Sequence, residues 1–393
     1  MRVLIAPMAA MAETSGPFSR AKALALGLLQ SGNTPALCAA KEINYQPIEG
    51  VKEYFAPIPS PMGLPMAIGK RAFGMARRLG LQQRRKVHSF EEVLFIVGAI
   101  KESFFAEDVS AIRVAIREFK PDVVYAEFRP AAIVAARMEN IPVATGYSYP
   151  ARKAYASSPQ YSKGVRQYLR KQGLQDIESV LDIFEWADLK IVPSCHTLEP
   201  IDDPNVIFTG PFQTFKAKAP AENTGKNAIV VYMGSGSISY RRQRSVLKEA
   251  FYNSPYQVYI ASYQAHPAEE GNIHTARRFD FNTLLPQAAA FINHGGQNSV
   301  LSGIMSAVPQ IVFPGNVFER QYNADSIERL NIGKRYGDAE FTASLLVQAI
   351  QKIKDLPGFA ENTHRIQDQL TQLGGVDRAI QGLSALCPIP QSL

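Results

Sequence analysis

The order of apolar and polar positions along this 393-residue chain predicts short buried strands that alternate with amphipathic helices. A β-branched run at Arg2–Ala6 predicts a strand, and Phe18–Gln30 predicts a helix that ends at Gly32. Further elements of this half are predicted at Asp122–Ala126 (strand), Pro130–Met138 (helix), Pro142–Thr145 (strand) and Asp188–Val192 (strand). Such alternation is typical of a parallel sheet with crossover helices.

A second α/β series follows the stretch Gln213–Asn227, whose lysines, proline and glycine and lack of large apolar residues predict a linker. The elements of this series are predicted at Asn227–Met233, Arg241–Tyr252, Gln257–Ala261, Ala289–Asn293 and Gln310–Phe313. We therefore expect an α/β protein of two doubly wound, Rossmann-like domains that face each other across a cleft. The expected domains are residues 1–213 and 226–375, and a tail, residues 376–393, carries a helix that returns to the first domain.

The composition fits a folded globular protein, with 46% hydrophobic, 10% aromatic and 20% charged residues. No apolar run approaches the roughly 18–20 residues that a membrane-spanning helix needs, and the amino-terminal segment does not resemble a signal peptide. A cytoplasmic location is expected. The cysteines Cys38, Cys195 and Cys387 are far apart and have none of the zinc or redox spacings.

The net charge of +7 favours anionic partners. Residues 70–86 carry seven Lys and Arg and no acidic residue, interleaved with apolar positions. This stretch predicts either a solvated helix face or peripheral contact with the inner membrane surface. Nothing in the chain resembles a nucleic-acid-binding module, and no nucleic-acid partner is expected.

An apolar strand ends in His294-Gly295-Gly296, and Asn298-Ser299 opens the helix that follows. Two glycines at a strand-to-helix turn let backbone N–H groups approach a phosphate, and the helix dipole favours the negative charge. The turn therefore predicts an anion site. The alternative is a tight turn with a buried, hydrogen-bonded histidine.

The pattern continues beyond this turn with Val308-Pro309, Pro314, Glu319, Asn323-Ala324 and Gly333. It resembles the donor-binding signature of family one glycosyltransferases, the nucleotide-sugar enzymes of the GT-B fold. A weaker likeness extends to the strand and helix of residues 1–32, to residues 208–211 and to Gly234-Ser235. The donor-binding residues that the resemblance implies are Gly234, Ser235, Phe279, Phe281, His294, Gly295, Gly296, Asn298, Ser299, Glu319 and Arg320.

The resemblance implies that His294 and the amides of Gly295 and Gly296 hold the diphosphate. Asn298 and Ser299 would lie on the side of the α-phosphate, and Gly234 and Ser235 near the transferred sugar. No protein-held metal and no cofactor beyond the nucleotide-sugar co-substrate are expected.

Three features of the sequence leave the donor's identity open. Phe279 and Phe281 fall in the segment that passes the nucleobase in the family, although core packing explains either ring equally well. Glu319 falls where the family has an acid that binds sugar hydroxyls, but its neighbour is Arg320 where glutamine is usual. Ser302 replaces the ribose-binding glutamate of plant relatives, so uridine and thymidine both remain open.

The general base is the main departure from the family. The family's histidine before the first helix is replaced here by Pro17, but Glu127 stands where the family has a supporting aspartate. A carboxylate with a pKa raised by partial burial could accept the proton, so Glu127 is the first candidate and Glu13 the second. The alternatives for Glu127 are an ion pair with Arg129 or a helix cap.

Tyr147 and Tyr149 follow a predicted strand on the same cleft, where they could stack on an acceptor or pack at the rim. The function expected from the resemblance is inverting transfer of a hexose from a UDP- or dTDP-sugar to a hydroxyl or amine of a small molecule. Alternatives are transfer to a membrane lipid, an auxiliary protein that binds a nucleotide sugar with little activity, and a GT-B epimerase. An acceptor acidic enough to need no strong base would also fit the absence of the histidine.

Overall fold

A computed structural model describes residues 1–9, 16–42, 45–61, 86–213, 215, 226–234, 236–354 and 356–387. Glu13, Ser235, residues 70–85 of the basic stretch and most of the predicted linker lie outside these residues. The chain divides into two compact units, which are built mainly from the amino-terminal and carboxy-terminal halves. Among the described residues, no helix is long and apolar enough to cross a membrane.

The first unit contains a seven-stranded sheet in which every strand pair is parallel. Its strands are β1 (Arg2–Pro7), β2 (Thr34–Ala40), β3 (Lys52–Ala56), β4 (Val123–Glu127), β5 (Val143–Gly146), β6 (Leu189–Val192) and β7 (Val206–Phe208), in the spatial order β3-β2-β1-β4-β5-β6-β7. The central strands β1 and β4 are buried except for Arg2 at the start of β1, because helices cover both faces of such a sheet.

The helices of this unit are α1 (Gly16–Gln30), α2 (Phe90–Val97), α3 (Glu102–Phe119), α4 (Pro130–Met138) and α5 (Lys163–Lys171). Helix α1 buries Ala21, Leu24, Ala25 and Leu28 against β1 and β2, at the i, i+3, i+4 and i+7 spacing of one helix face. Helix α2 begins at Ser89, whose side chain accepts a hydrogen bond from the Glu92 amide.

The second unit has seven strands in the order β10-β11-β9-β8-β12-β13-β14. They are β8 (Ala228–Tyr232), β9 (Gln257–Ala261), β10 (Ala268–Glu270), β11 (Ile273–Ala276), β12 (Ala288–Asn293), β13 (Gln310–Val312) and β14 (Gly333–Arg335). All pairs are parallel except β10 with β11. The helices are α6 (Tyr240–Phe251), α7 (Phe281–Leu284), α8 (Gln297–Met305), α9 (Phe318–Arg329), α10 (Ala343–Lys354) and α11 (Phe359–Gln372).

The strand order changes direction between β8 and β12 in the second unit. Strands β9, β10 and β11 lie on the β8 side of this pair, and strands β13 and β14 lie on the β12 side. Ligands of doubly wound sheets bind at the carboxyl ends of the strands at such a switch point. Here those ends carry Gly234 and His294.

The α/β architecture predicted from the sequence is confirmed, and helix Pro130–Met138 and strand Gln257–Ala261 have the predicted bounds. Other predicted elements differ by one or two residues at their ends. The antiparallel pair β10–β11 was not predicted because its strands have three and four residues and no apolar alternation.

Two segments group with a unit that is remote from them in sequence. Val87 forms an isolated parallel bridge with Val317 and belongs to the second unit. Residues 370–387 belong to the first, where helix α12 (Gly375–Ala385) packs on α1. Gly27 allows this approach, since a Cβ added there would lie 2.4 Å from the Cγ1 atom of Val376.

We expect Gly27→Ala to lower the free energy of unfolding by about 1–3 kcal/mol, because overpacking outweighs the gain of up to about 1 kcal/mol in helix propensity. Urea unfolding followed by circular dichroism measures the change. In the background Val376→Ala, which removes the clashing methyl groups, the same substitution should be neutral or stabilising. Equal effects in both backgrounds would contradict this close packing of α1 and α12.

Candidate functional site: a glycine turn at the switch point of the second sheet

The turn after β12 has a backbone that suits only glycine. Gly295 has φ +78°, and a Cβ added there would lie 2.9 Å from the Arg320 carbonyl oxygen and 3.0 Å from Val312. A Cβ on Gly296 would lie 2.8 Å from Nε2 of His294. The sequence can therefore turn directly from strand into helix at this point, and the backbone is left uncovered by side chains of its own.

Both peptide groups of Gly295 have partners within the protein. Its N–H donates to Oδ1 of Asn293 at 2.8 Å, and its carbonyl oxygen accepts from Nδ2 of Asn323, also at 2.8 Å. This corrects the expectation that the Gly295 amide holds a diphosphate, because that donor is already engaged. The backbone donors that we consider for an anion are those of Gly296, Asn298 and Ser299 at the start of α8.

Helix α8 begins at Gly296, which has no side chain to cap it. The first-turn amides of a helix have no partner within the helix, and the positive end of the dipole lies there. Asn298 is half-buried and Ser299 is buried within this first turn. The arrangement is suited to an anion such as a phosphate.

His294 is buried, with 9% of its surface exposed, and lies between two glycine segments. A Cβ on Gly234 would come within 3.2 Å of its Nε2 atom, and Gly234 itself has φ +46°. Its Nδ1 atom makes a long hydrogen bond of 3.4 Å with the Tyr232 carbonyl oxygen, so Nδ1 carries the proton. Nε2 is then the nitrogen that faces the glycines.

Burial, and then the positive charge of Arg320, lower the pKa of His294 to about 3. The imidazole is therefore neutral in the ligand-free protein at physiological pH. Burial also lowers the pKa of Arg320, while the charge of Glu319 beside it opposes that shift. A guanidinium next to the turn adds a positive field that favours an anion.

Glu319 and Arg320 lie in the first turn of α9 and are both half-buried. Gln321, which follows them, donates from Nε2 to the Gly315 carbonyl oxygen and accepts from Arg335. The one-residue displacement of glutamine relative to the family thus places that side chain in internal hydrogen bonds. Arg320 is the residue that takes the place beside Glu319.

The two phenylalanines proposed for the nucleobase have aromatic neighbours within the unit. Phe281 contacts Tyr232 and Phe291 edge-on, with centroid distances of 5.6 and 5.9 Å. Phe279 contacts Tyr259 edge-on at 5.5 Å. These contacts agree with the packing alternative, and a contact with a base stays a prediction for both rings.

In the first unit, Glu127 is the last residue of β4 and is fully buried. Its Oε1 atom accepts from Nε and Nη2 of Arg20 at 2.7 and 2.6 Å, and Oε2 accepts from the Tyr125 hydroxyl. Burial and the neighbouring Glu127 charge raise the pKa of Tyr125. Both carboxylate oxygens accept hydrogen bonds, and Glu127 is fully rather than partly buried as expected, while its role as the general base stays a prediction.

The ion-pair alternative for Glu127 holds, but with a different partner. Arg129, the expected one, pairs with Asp108 and donates to the carbonyl oxygens of Pro7 and Cys38. Arg20 reaches Glu127 from the first turns of α1. This arginine was missed because sequence offers no signal that joins positions 107 residues apart.

Tyr147 is buried and packs on Phe184, and burial raises the pKa of its hydroxyl. The expectation that it stacks on an acceptor is therefore wrong. Tyr149 is half-buried, its ring lies beneath the Arg152 guanidinium at 4.5 Å, and its acceptor role stays a prediction. No cluster of His, Cys, Asp and Glu that could hold a metal occurs within the described residues.

Residues 264–373 match a protein family described as erythromycin biosynthesis protein CIII-like, C-terminal domain. An NDP-glycosyltransferase, YjiC, of Bacillus licheniformis is 26% identical over 220 residues, which are 52% of this chain and 54% of the relative. The oleandomycin glycosyltransferase of Streptomyces antibioticus is 26% identical over 234 residues, 56% and 54% of the two chains. The chain thus matches about half the length of these relatives.

Solved structures match the chain over nearly its whole length. The glycosyltransferase of kitacinnamycin has a TM-score of 0.73 at 17% identity and covers 98% of this chain and 99% of its own. The spinosyn rhamnosyltransferase SpnG complexed with thymidine diphosphate has a TM-score of 0.65 at 15% identity, with 98% and 100% covered. The GT-B fold and the resemblance to family one glycosyltransferases, both expected from the sequence, are confirmed.

Unfolding experiments on variants of the Arg20–Glu127 ion pair test whether Glu127 stabilises the fold. Glu127→Gln removes the negative charge that Glu127 provides to the buried Arg20 and should lower the free energy of unfolding by about 3–5 kcal/mol. The double variant Arg20→Met/Glu127→Gln should recover part of this loss. Urea unfolding measures both, and a Glu127→Gln protein of unchanged stability would contradict the ion pair's role.

The buried neutral imidazole predicts a pH dependence of stability. An unfolded histidine takes up a proton near pH 6.5, whereas His294 in the folded protein stays neutral down to about pH 3. Its contribution to stability is therefore complete above about pH 6.5 and is lost as the pH falls towards 3. Between about pH 7 and about pH 5, the wild type should lose roughly 2 kcal/mol more than His294→Gln. Parallel pH profiles in urea unfolding would contradict a buried neutral His294.

Proposed function

We propose, from its GT-B fold and its homology to nucleotide-sugar glycosyltransferases, that this protein is an inverting glycosyltransferase. It moves a hexose from a UDP- or dTDP-sugar to a hydroxyl or amine of a small-molecule acceptor. The observation that carries the proposal is the uncovered glycine turn at the switch point of the second sheet. His294, the start of α8 and the Arg320 charge converge there.

The diphosphate of the donor would bind at the amino terminus of α8. The Gly296 amide and those of the next residues donate to phosphate oxygens. The negative charge of the ligand favours the protonated imidazole, in which both nitrogens donate. Nδ1 of His294 keeps the Tyr232 carbonyl oxygen, and Nε2 then donates to the diphosphate.

Thymidine diphosphate is supported as one form of the donor nucleotide by its presence in the structurally similar SpnG. Uridine diphosphate is supported by the family resemblance of the His294-Gly295-Gly296 segment. The two pyrimidine bases differ in one methyl group, and neither Phe279 nor Phe281 decides between them, because both rings already have aromatic neighbours.

An apolar acceptor is supported by a shallow concavity in the first unit at the carboxyl ends of β1 and β3. Its walls include Met8, Pro57, Leu94, Ile100 and Phe104. The Asp108–Arg129 ion pair closes one side. Relatives named for oleandomycin and kitacinnamycin, whose acceptors belong to antibiotic biosynthesis by name, agree with a small apolar acceptor.

Inversion follows from one displacement, in which the acceptor attacks the anomeric carbon while the bond to the diphosphate breaks. The leaving diphosphate gains negative charge in this step, and the start of α8 with Arg320 stabilises it. Because both oxygens of Glu127 accept hydrogen bonds from Arg20 and Tyr125, we assign the acceptor's proton to another base. Glu13 remains a candidate from the sequence.

A second candidate function is an auxiliary protein that binds a nucleotide sugar without consuming it. The observation that favours it is the loss of the usual dyad: Pro17 replaces the histidine, and the acid, Glu127, is neutralised by Arg20. The two candidates share the donor site and differ in turnover. The lipid-acceptor alternative depends on residues 70–86 and gains no support from the described residues.

A thermal-shift and calorimetric panel of UDP, dTDP and their hexose derivatives tests the donor site on the full chain. A ligand at about 100 times its Kd stabilises the native state by about 2.7 kcal/mol and raises Tm. His294→Ala should weaken binding about 10- to 100-fold, because a hydrogen bond to a charged group contributes about 1.5–3 kcal/mol. His364→Ala, at an exposed histidine of the same unit, is the matched control and should bind like the wild type.

Incubation of the wild type with the bound donor and a panel of apolar aglycones, followed by mass spectrometry, tests turnover. Proton NMR of the product gives the anomeric configuration, which should be opposite to that of the donor. Binding without any glycoside or donor hydrolysis would favour the auxiliary protein. A protein that binds none of the diphosphates would overturn both functions.

A further inference from the structure

We propose that Asn293 and Gln310 are positioning residues that set the affinity for the donor diphosphate by holding the Gly295–Gly296 turn in its binding shape. This inference rests on the proposed function. The two side chains form a buried chain of hydrogen bonds from the turn, through β12 and β13, to α8. Neither side chain has to contact the nucleotide-sugar donor to have this role.

The direction of each bond is fixed by the chemistry of the amides. Oδ1 of Asn293 accepts from the Gly295 N–H, so its Nδ2 faces Oε1 of Gln310 and donates to it at 2.9 Å. Nε2 of Gln310 then donates to the Val300 carbonyl oxygen at 3.0 Å. Every bond in the chain has one donor and one acceptor, and reversing either amide would set donor against donor or acceptor against acceptor.

Stability of the fold does not call for these residues. Asn293 and Gln310 are both fully buried in a sheet whose neighbouring positions are Ala, Phe, Ile and Val. Buried amides are costly unless paired, and a pair of apolar side chains of similar shape would serve the core as well or better. Gly303 on α8 leaves space for the Gln310 side chain, since a Cβ there would lie 2.4 Å from it.

The hydrogen bonds of Asn293 and Gln310 fix the conformation of the Gly295–Gly296 turn. The Asn293 side chain fixes the Gly295 N–H, and Asn323 fixes its carbonyl oxygen. With both groups held, the Gly295 backbone stays at φ +78°, and the peptide that follows it presents the Gly296 amide. Gln310 ties the same unit to α8 through Val300, so the strand end and the first turn of the helix move together.

The test compares two isosteric variants in one background. In Gln310→Met, the substitution Asn293→Thr keeps a side-chain oxygen that can accept the Gly295 N–H two residues on, whereas Asn293→Val has the same shape and no acceptor. Calorimetry with UDP and dTDP should give a Thr variant within about threefold of the wild type and a Val variant about tenfold weaker. Donor KM should rise in the Val variant with little change in kcat.

A control removes a comparable bond at the other end of the same helix. Gln367 donates from Nε2 to the Ile304 and Met305 carbonyl oxygens, so Gln367→Met should leave the affinity for the diphosphates unchanged. Hydrogen-exchange mass spectrometry of the peptide that spans residues 291–300 should show faster exchange in the Val variant than in the Thr variant. If the Val variant does not fold, the single variant Gln310→Met, which keeps the Asn293 bond to Gly295 and breaks the tie between β13 and α8, should show faster exchange in the same peptide than Gln367→Met, with an affinity for the diphosphates within about threefold of the wild type.

The outcomes separate this inference from the function it rests on. Equal affinities in the folded Thr and Val variants, with a wild type that binds, would overturn the positioning role and leave the donor site intact. A wild type that binds neither diphosphate would overturn both. A ranking of wild type, Thr variant and Val variant in affinity and in exchange would establish the role.

Discussion

The reversal of the chain at the end of β12 is the constraint on which the second unit's chemistry depends. A strand in the middle of a parallel sheet must leave the sheet at its carboxyl edge before it enters a helix, and here the three residues His294, Gly295 and Gly296 make the connection. Only glycine fits the turn, because the Arg320 carbonyl, Val312 and the His294 ring occupy the space that side chains would need. Because both residues of the turn are glycines, no Cβ atom of their own covers the backbone. An anion can therefore approach the Gly296 amide closely.

The electrostatics of the turn follow from the same packing. His294 is neutral because it is buried and lies near a guanidinium, and the Arg320 charge is itself destabilised by burial. In the proposed function, a bound diphosphate would relieve both effects, since it provides the negative charge that a second cation and a protonated imidazole need. Binding of an anion would therefore offset the electrostatic cost of burying these two side chains.

How much the sequence predicted depends on the range of the interaction concerned. The strand-turn-helix of residues 288–305 was predictable, because apolar run, glycines and helix start all lie within 20 residues. The partner of the Gly295 N–H was not predicted, although Asn293 is only two positions away, because family resemblance assigned that amide to the ligand. The burial of Tyr147 and Glu127 was not predicted for another reason: a strand end looks the same in sequence whether the side chain there faces solvent or is buried by a distant helix.

The occupied Glu127 carboxylate bears on the reaction as much as on the fold. Its two carboxylate oxygens accept hydrogen bonds from a guanidinium and a phenol, which are stronger donors than an alcohol. An acceptor hydroxyl of ordinary pKa would thus need a base from elsewhere, and Glu13 is the candidate that the sequence offers.

A phenolic acceptor has a pKa near 10 and carries more negative charge on oxygen as it attacks, so it needs less help from a base. In the proposed function, the loss of the histidine and the ion pair of Glu127 with Arg20 are therefore consistent with each other if the acceptor hydroxyl is acidic.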